Sequence, residues 1–575
     1  VYDQARLEGF TDLQAKLLAQ RLPRLPTTSL RALVNPTVND IPRASQLPDI
    51  DRAAKCIADT IEGGQVIALV TDHDCDGQSA SVVLWRMLIE AFGVLVDRVH
   101  VVTSHRLKEG YGVSSKLVER ILSLEPRPNL VITADQGSTD EPRIAELAKN
   151  AIRCVVTDHH HLPEEGPPAS AVACVNPARS DSTFDSSIAG VMVAWYVMVA
   201  VREELKSRGL PCGSASHLYD CLSACAVGTV GDCVDLGMSH ANRWATQEGL
   251  KRIRQGGQPI WEAFSPFVRN EWSASALAFQ IAPRCNAISR LGDAKRGIDA
   301  MCSKDLRTAY EWVQLLDAAN SERKEIQKSL TDRALAMACD MIAQGAPALC
   351  LPFYVGGHAG VHGITASRVV EAYGLPTVCL SPTEEDSNLM TGSIRSVEGA
   401  HVKHILDAIA AANPELGLRY GGHAMAGGVR LAKDKVPAFA LAWEAAVADA
   451  LEGKAAVPFW HDGELMLTPS RDVAREMAAL EPFGRGFAEP AFMAIVDVTK
   501  VAYLGRDQKH VQLEVRWVNG RRERMVWFNS VASDGAFPIG IGRCRVVYEL
   551  TESTYRSGPG YDLKVKAVLP QRGEG

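Results

Sequence analysis

The 575-residue chain contains no apolar run approaching the length of a membrane span, no tandem repeat and no low-complexity tract. A helical membrane protein, a repeat solenoid and a disordered scaffold are thereby excluded. No basic-then-apolar leader opens the sequence, but it begins at Val1 rather than Met, so that absence carries no weight. Positive charge is not in excess: 61 lysines and arginines face 68 aspartates and glutamates, a formal net charge of −7. Such a chain does not coat nucleic acid through bulk electrostatics, although basic residues confined to one groove can still hold a strand. The 14 cysteines form no framework pattern; they lie in apolar segments, such as Cys154, Cys174 and Cys350. Buried thiols in a reducing cytoplasm are expected rather than disulfides. Cys221 and Cys225 share a helical stretch and Cys233 follows, yet no second cluster completes a tetrahedral zinc site. The expectation is a cytoplasmic protein with no membrane association.

What is present is an ordinary globular composition, 46% hydrophobic and 22% charged, in a chain too long for one core. Residues 1–50 read as an N-terminal helix, Leu7 to Leu22, and a proline-marked connector. Residues 51–240 alternate helices with short apolar strands at Val66–Val70, Val99–Val102, Leu130–Thr133 and Cys154–Thr157. Continuous apolar strands separated by helices predict a parallel sheet covered on both faces. Residues 241–345 read as a helical connector that includes a long helix, Leu306 to Gln344, whose charged stretch Asp317–Lys324 is expected to be exposed. A second, mixed α/β segment covers 346–455. From 456 to 575 the pattern turns to period-2 strands, around Val511–Trp517, Arg524–Phe528, Arg545–Leu550 and Leu563–Val568, which predict a small barrel.

The chemistry-bearing residues collect in four short clusters: Asp72-His73-Asp74-Cys75-Asp76-Gly77, Asp135, Asp158-His159-His160 and Asp232. Three of them begin within two residues of a strand's carboxyl end, where open α/β sheets place their ligands. A lone aspartate there is more often a helix cap or turn former. Four clusters with an adjacent His-His pair go beyond what capping requires, and carboxylate with imidazole is the donor set of paired divalent ions that hydrolyse phosphate esters. In that reading Asp74 and Asp76 face one ion, Asp135 bridges two, His159 or His160 supplies a ring nitrogen, and Asp232 completes the ligands of the second ion.

The runs Asp72–Gly77, Thr133-Ala134-Asp135-Gln136-Gly137, Asp158-His159-His160 and Gly228-Thr229-Val230-Gly231-Asp232 resemble the four motifs of the DHH phosphoesterase superfamily. Further segments are similar to its RecJ family of single-strand-specific exonucleases: Ser104–Arg106 with Glu109–Gly112, Pro283–Ala294, Gly392–Ser396, Gly421–Gly428 and Phe483–Pro490. The resemblance spans residues 30–570. It implies an α/β, two-lobed core, with a parallel-sheet DHH domain and a mixed α/β DHHA1 domain joined by a long helix. A C-terminal β-barrel OB (oligonucleotide-binding) fold follows. It implies two divalent ions, Mn2+ or Mg2+, held by Asp74, Asp76, Asp135, His159 and Asp232. His160, Asp76 and Asp135 then form the catalytic centre, and Asp72 and Asp158 orient the ligands. Arg106, Arg284, Asn286, Arg395, Ser396 and His423 are implied to hold the strand's phosphates, guanidinium forks matching phosphate oxygens.

The implied activity is 5′→3′ exonucleolytic hydrolysis of single-stranded DNA threaded between the lobes, in repair or recombination. The implied partners are a single strand with a 5′ end and a helicase or single-strand-binding protein. The other reading is a phosphodiesterase of short oligoribonucleotides or cyclic dinucleotides, against which the 120 residues beyond the second lobe weigh. A non-enzymatic adaptor is a third reading, disfavoured because every metal aspartate is kept. The chain departs from the family at His73 (usually Tyr), Gln136 (usually Asn or Cys), Ile288-Ser289 (usually Ala-Gly) and Gly357 (usually Trp), positions expected to line the substrate channel. In the barrel, Trp517, Trp527, Phe528 and Tyr548 are candidates to stack on bases, though alternating aromatics more often fill a core.

Overall fold

The computed structural model describes residues 1–569 apart from 107–108, 269–270, 384–385, 452–459, 506–507, 532–539 and 554–558. It divides into two units. The first comprises residues 1–102, 118–282 and the chain beyond 459; the second comprises 103–117 and 283–458.

The first unit carries a five-stranded sheet built from β1 (Ile67–Thr71), β2 (Val99–Thr103), β3 (Leu130–Ala134), β4 (Arg153–Thr157) and β5 (Ala173–Val175), in the order β2-β1-β3-β4-β5. Every residue of β1 and β3 is buried, as helix-covered parallel strands require. The register pairs Thr71 with Ala134 and Ala134 with Thr157, so three strands end level with one another. The ladder runs one residue further: the Asp72 N–H donates to Ala134, that of Asp135 to Thr157 and that of Asp158 to Val175. Three aspartates far apart in sequence thus leave the sheet in one row. Asp232 arrives differently. It follows no strand but caps the C-terminus of the helix Leu222–Gly231, the one cluster of the four not expected at a strand end.

The C-terminal barrel is closed by five strands, β11 (Ala491–Leu504), β12 (His510–Trp517), β13 (Arg522–Trp527), β14 (Gly542–Glu552) and β15 (Tyr561–Leu569), in the order β11-β12-β13-β15-β14. Closure leaves no open edge. The sequence pattern did not reveal β11, whose alternation is softened by Ala491, Ala494 and Ala502 and bent by a register shift between Val498 and Lys500. The N-terminal stretch is not one helix but two, Tyr2–Leu7 and Asp12–Arg21, interrupted at Gly9, whose φ of +84° suits glycine. Nor is it only a lead-in. Phe10, Leu13, Leu17, Leu18, Leu30 and Leu33 share one apolar core with Phe492, Val496, Leu513 and Tyr548 of the barrel. Arg21 forks onto both oxygens of Asp462 at 2.7 and 2.9 Å. The buried guanidinium of Arg243 completes this assembly, donating to the carbonyls of Val34, Leu236, Leu480, Glu481 and Pro482 and lying over the Phe487 ring at 4.7 Å.

In the second unit β6 (Leu349–Pro352), β7 (Thr377–Pro382), β8 (Leu389–Arg395), β9 (Arg419–Gly422) and β10 (Ala426–Ala432) form a mixed sheet, ordered β6-β7-β8-β10-β9. Its core gathers Ile394, Val429, Phe439 and Trp443. A long helix, Leu306–Ala343, precedes it in the chain. Two α/β lobes joined by a long helix and followed by a β-barrel are the class that the sequence leads one to expect. The charged stretch of that helix is not simply exposed, however: Asn320 and Arg323 are buried, Arg323 donating to Asn320 and to Gln327. Charge content alone misread a face that carries packed polar groups.

Candidate metal centre

At the rim of the first sheet, Asp74 is the N-cap of the helix Cys75–Arg86, its Oδ1 accepting from the N–H groups of Asp76 (2.9 Å) and Gly77 (3.2 Å). The capping reading of this residue therefore holds for one oxygen. Asp76, one residue into that helix, is held by another: its Oδ2 accepts from the Gly190 N–H at 2.7 Å and its Oδ1 from Val191 at 3.0 Å, at the N-terminus of the helix Gly190–Ser207. Two unpaired helix N–H groups and the positive dipole end favour the carboxylate. Both approaches depend on missing side chains. A Cβ on Gly190 would lie 2.7 Å from Asp135 Oδ1, and one on Gly228 would lie 2.7 Å from Asp76 Oδ1. Asp135 itself sits at φ +61°, a conformation rare for non-glycine residues and concentrated at functional sites.

The His159 ring fixes what this cluster is built to hold. Its Nδ1 lies 3.0 Å from the Ile188 carbonyl, which can only accept, so the proton is on Nδ1 and Nε2 carries a lone pair. That lone pair faces Asp135 Oδ1 at 3.2 Å, Asp232 Oδ2 at 3.6 Å and Asp76 Oδ2 at 4.0 Å. Among the described residues neither His159 Nε2 nor Asp135 Oδ1 has a hydrogen-bond partner, and both are buried. Acceptors facing acceptors repel; a cation among them turns each contact favourable. Among the described residues, three groups have ligand atoms all within 4.8 Å of one another: Asp76-His159-Asp232, Asp135-His159-His160 and Asp72-Asp74-Asp135. The middle group shares His159 with the first and Asp135 with the third, as a site for adjacent ions would. None contains cysteine, and all 14 cysteines are free.

The electrostatics agree. Burial first, and then the Asp74 charge, push Asp76 up to about 7. Burial and the surrounding aspartates hold Asp135 well above the usual carboxylate range, and Asp232 likewise, with His160 and Arg485 pulling the latter back. Burial and the neighbouring His160 lower His159 to about 4, which keeps its ring neutral. His160 goes the other way: burial works against its charge, but the hydrogen bond and charge of Asp158, 2.8 Å from Nδ1, lift it to about 9. Asp158 is correspondingly held well below its ordinary value, burial notwithstanding, by His160 and His159. Asp158 also accepts from the backbone of Ser138, His159 and His160. The side chains of Asp76 and Asp135 are 0% and 3% exposed, those of Asp232 and His160 27% and 30%, so the centre opens on the Asp232–His160 side.

The structure brings the predicted acids and histidines of all four clusters together, but Asp72 falls in a candidate ligand group beside Asp74 and Asp135 as well as against His73 Nδ1 at 3.0 Å. In the second unit, Arg395 ends β8 and Ser396 follows it, and His423 opens the turn between β9 and β10, with Ala426 opposite Arg395. The Ser396 N–H donates to Met425 and its hydroxyl to Ala400. Burial, with the charge of Arg106 contributing, lowers Arg395, two cations sharing one neighbourhood. Arg284 is ion-paired with Asp317 through Nε (3.0 Å) and Nη2 (2.8 Å); Asn286 lies on the same helix, Ala282–Leu291.

Four of the departures from the family pattern do not line an open channel. His73, Gln136, Ile288 and Ser289 are buried, and the Gln136 amide donates to the Val70 carbonyl. A Cβ on Gly357 would meet the Ser381 Cβ at 2.4 Å, so no bulkier residue fits there. These are changes of packing. Gly190 and the Ile188 carbonyl escaped the sequence reading. The only signal for them is a small residue opening an apolar helix.

A parallel sheet whose strand ends present aspartates and a His-His pair to one another, followed by a mixed α/β domain, defines a phosphoesterase of the DHH class. The sequence matches the DHH family, N-terminal domain, over residues 66–229, the DHHA1 domain over 347–449 and the RecJ OB domain over 461–567. The single-stranded-DNA-specific exonuclease RecJ of Haemophilus influenzae is 29% identical over 556 residues, covering 94% of this chain and 93% of that protein. That of Dickeya dadantii is 31% identical over 497 residues, 82% of each. The crystal structure of Thermus thermophilus RecJ in complex with Mn2+ superposes with a TM-score of 0.78 at 26% identity, over 99% of this chain and 78% of that one. The chain belongs to the RecJ family.

Proposed function

We propose that this protein is a metal-dependent exonuclease that degrades single-stranded DNA from its 5′ end. One observation carries the reading: the His159 lone pair and the orphaned Asp135 oxygen, buried 3.2 Å apart and facing Asp76 and Asp232. Asp74, Asp76, Asp135, His159 and Asp232 are the residues that would hold two Mn2+ or Mg2+ ions, with Asp72 beside them. Bound there, such ions activate a water and neutralise the charge that develops on the phosphoryl oxygens. The helix N-terminus at Gly190 and Val191 fixes Asp76, and Asp158 fixes His160 so that its outward edge faces the reacting phosphate as a proton donor. Arg106, Arg284, Asn286, Arg395, Ser396 and His423 hold phosphates of the strand. The barrel extends the grip with exposed Tyr503 and Phe528, whereas Tyr548 is core, packed edge-on against Trp517. The setting proposed is the cytoplasm, where a helicase or single-strand-binding protein supplies the strand in repair or recombination. No helix among the described residues is long and apolar enough to cross a membrane.

The test is digestion of 5′-labelled and 3′-labelled single strands, a blunt duplex and an RNA with Mn2+ and Mg2+ separately. Mononucleotides released first from the 5′ end of the single strand, and little from the duplex, are expected. Release from the 3′ end first, or equal digestion of the duplex, overturns the polarity or the strand preference. Asp135→Asn retaining full hydrolysis overturns the centre itself.

A further inference from the structure

The turn that opens the barrel domain, Phe483-Gly484-Arg485-Gly486-Phe487, is clamped to the loop that follows Asp232. Gly484 and Phe487 exchange backbone hydrogen bonds at 2.9 and 3.1 Å, closing a tight turn with Arg485 at its tip. The Leu236 N–H donates to the Arg485 carbonyl at 2.9 Å. Gly486, at φ +72°, leaves no room for a Cβ, which would lie 2.6 Å from Asp235 Oδ1; a Cβ on Gly237 would lie 2.4 Å from the Gly486 carbonyl. Behind the turn, the Phe487 ring stacks on Phe483 and is covered by the guanidinium of Arg243. This backbone-to-backbone fit leaves the turn little freedom to move relative to the loop 233–238.

The side chain at its tip reaches toward the metal centre. Arg485 Nη1 lies 3.4 Å from the carbonyl of Cys233, the residue after Asp232. That long hydrogen bond uses one of five N–H donors. Arg485 is exposed, and among the described residues it forms no ion pair, although its charge acts on Asp232. Asp232 and His160 are the solvent-facing members of the cluster, so Arg485 stands at the open side. An arginine carried on a fixed backbone turn beside such an opening, with most of its donors unused, matches a phosphate oxygen pair.

We propose that Arg485 is a phosphate-binding residue of the active site, contributed by the barrel domain: it holds a phosphate of the strand, or of the released nucleotide, at the Asp232 side of the centre. The barrel then completes the catalytic site in addition to gripping DNA further along. The proposal rests on the exonuclease reading above.

The test compares full-length wild type with Arg485→Gln, Arg485→Lys and Arg485→Glu on a short 5′-phosphorylated oligothymidylate with Mn2+, measuring kcat and KM across a salt series. Arg485→Gln is expected to lower kcat/KM ten- to a hundredfold and Arg485→Glu further. Arg485→Lys should recover part of the loss, and the salt slope of KM should fall by about 0.7 for one lost contact to a single strand. Mn2+ affinity, measured by calorimetry, should change less than threefold, because no metal ligand is touched. Wild-type kcat/KM and salt slope in Arg485→Gln overturn the proposal. So does a loss of Mn2+ affinity in Gln and Lys variants alike, which marks a purely structural buttress of the Asp232 loop. If the wild type hydrolyses no single strand, the exonuclease reading falls. Calorimetric binding of thymidine monophosphate with Mn2+, expected to weaken tenfold in Arg485→Gln, then decides the role of Arg485 alone.

Discussion

Replacing Asp76 by asparagine should stabilise the metal-free protein while destroying its use. Asp76 is fully buried, and burial with the Asp74 charge raises its carboxyl from an ordinary 3.8 to about 7. A carboxyl whose pKa is higher in the folded than in the unfolded chain binds its proton more tightly when folded. Its contribution to stability is therefore complete below pH 4 and is lost as the pH rises toward 7. The interval of roughly three pH units, at 1.36 kcal/mol each, amounts to about 4 kcal/mol. Asparagine resembles the protonated acid in shape and cannot ionise. It gives up one acceptor to the N–H groups of Gly190 and Val191, which costs about 1–3 kcal/mol.

The assay is thermal unfolding of wild type and Asp76→Asn in chelator, at half-unit steps from pH 4.5 to 8.5. The midpoint difference should move in the variant's favour as the pH rises, and flatten above 7. Adding Mn2+ should reverse the order, because an ion bound by the folded state alone stabilises it by mass action and the variant lacks a ligand. A difference that does not vary with pH would refute the electrostatic argument. Equal stabilisation of both proteins by Mn2+ would show that the ion binds elsewhere.

Gly228→Ala places a methyl 2.7 Å from Asp76 Oδ1 and 2.8 Å from Val191 Cγ1; it should lower Mn2+-dependent hydrolysis at least tenfold and cost about 1–3 kcal/mol of stability, read by activity and denaturant midpoint. Arg243→Met removes the donor to five carbonyls and should destabilise by about 3–5 kcal/mol, with protease sensitivity rising near residue 480 in a digestion time course. Truncation at residue 456 strips the apolar partners from Phe10, Leu13, Leu17 and Leu18; the truncated chain should aggregate by light scattering unless residues 1–34 are removed with it.

The row of aspartates was legible because its causes are local. Short, mostly apolar runs that stop at Asp72, Asp135 or Asp158 read as buried strands with a polar end, and parallel pairing needs only level ends to align them. Asp232 reaches the same site by another route, at the end of the helix Leu222–Gly231, and the helical reading of the Cys221–Cys225 stretch agrees with that, although nothing local to it shows which face of the sheet it meets. The His73, Gln136, Ile288 and Ser289 departures were visible as differences, but these residues are buried rather than lining an open channel. Whether a side chain faces a groove or a core depends on what packs over it, and a single sequence does not record that.

What the sequence hid most completely is the bond between its two ends. Phe10, Leu13, Leu17 and Leu18 carry the spacing of any amphipathic helix, and β12 and β14 carry the alternation of any half-buried strand. Neither pattern names its partner, because an apolar face is satisfied by any apolar face of matching shape. The polar groups that fix the pairing are equally mute in sequence: Arg243 and Arg21 look like surface charges until the carbonyls of 480–482 and the carboxylate of Asp462 are set against them. The same holds for Arg485, which read as part of the barrel's opening signature. Its reach toward Asp232 arises from two glycine contacts: Gly237 lets its backbone lie on that of Gly486, and Gly486 leaves room for the Asp235 carboxylate. Long-range contacts of this kind tie the barrel domain to the loop that follows Asp232.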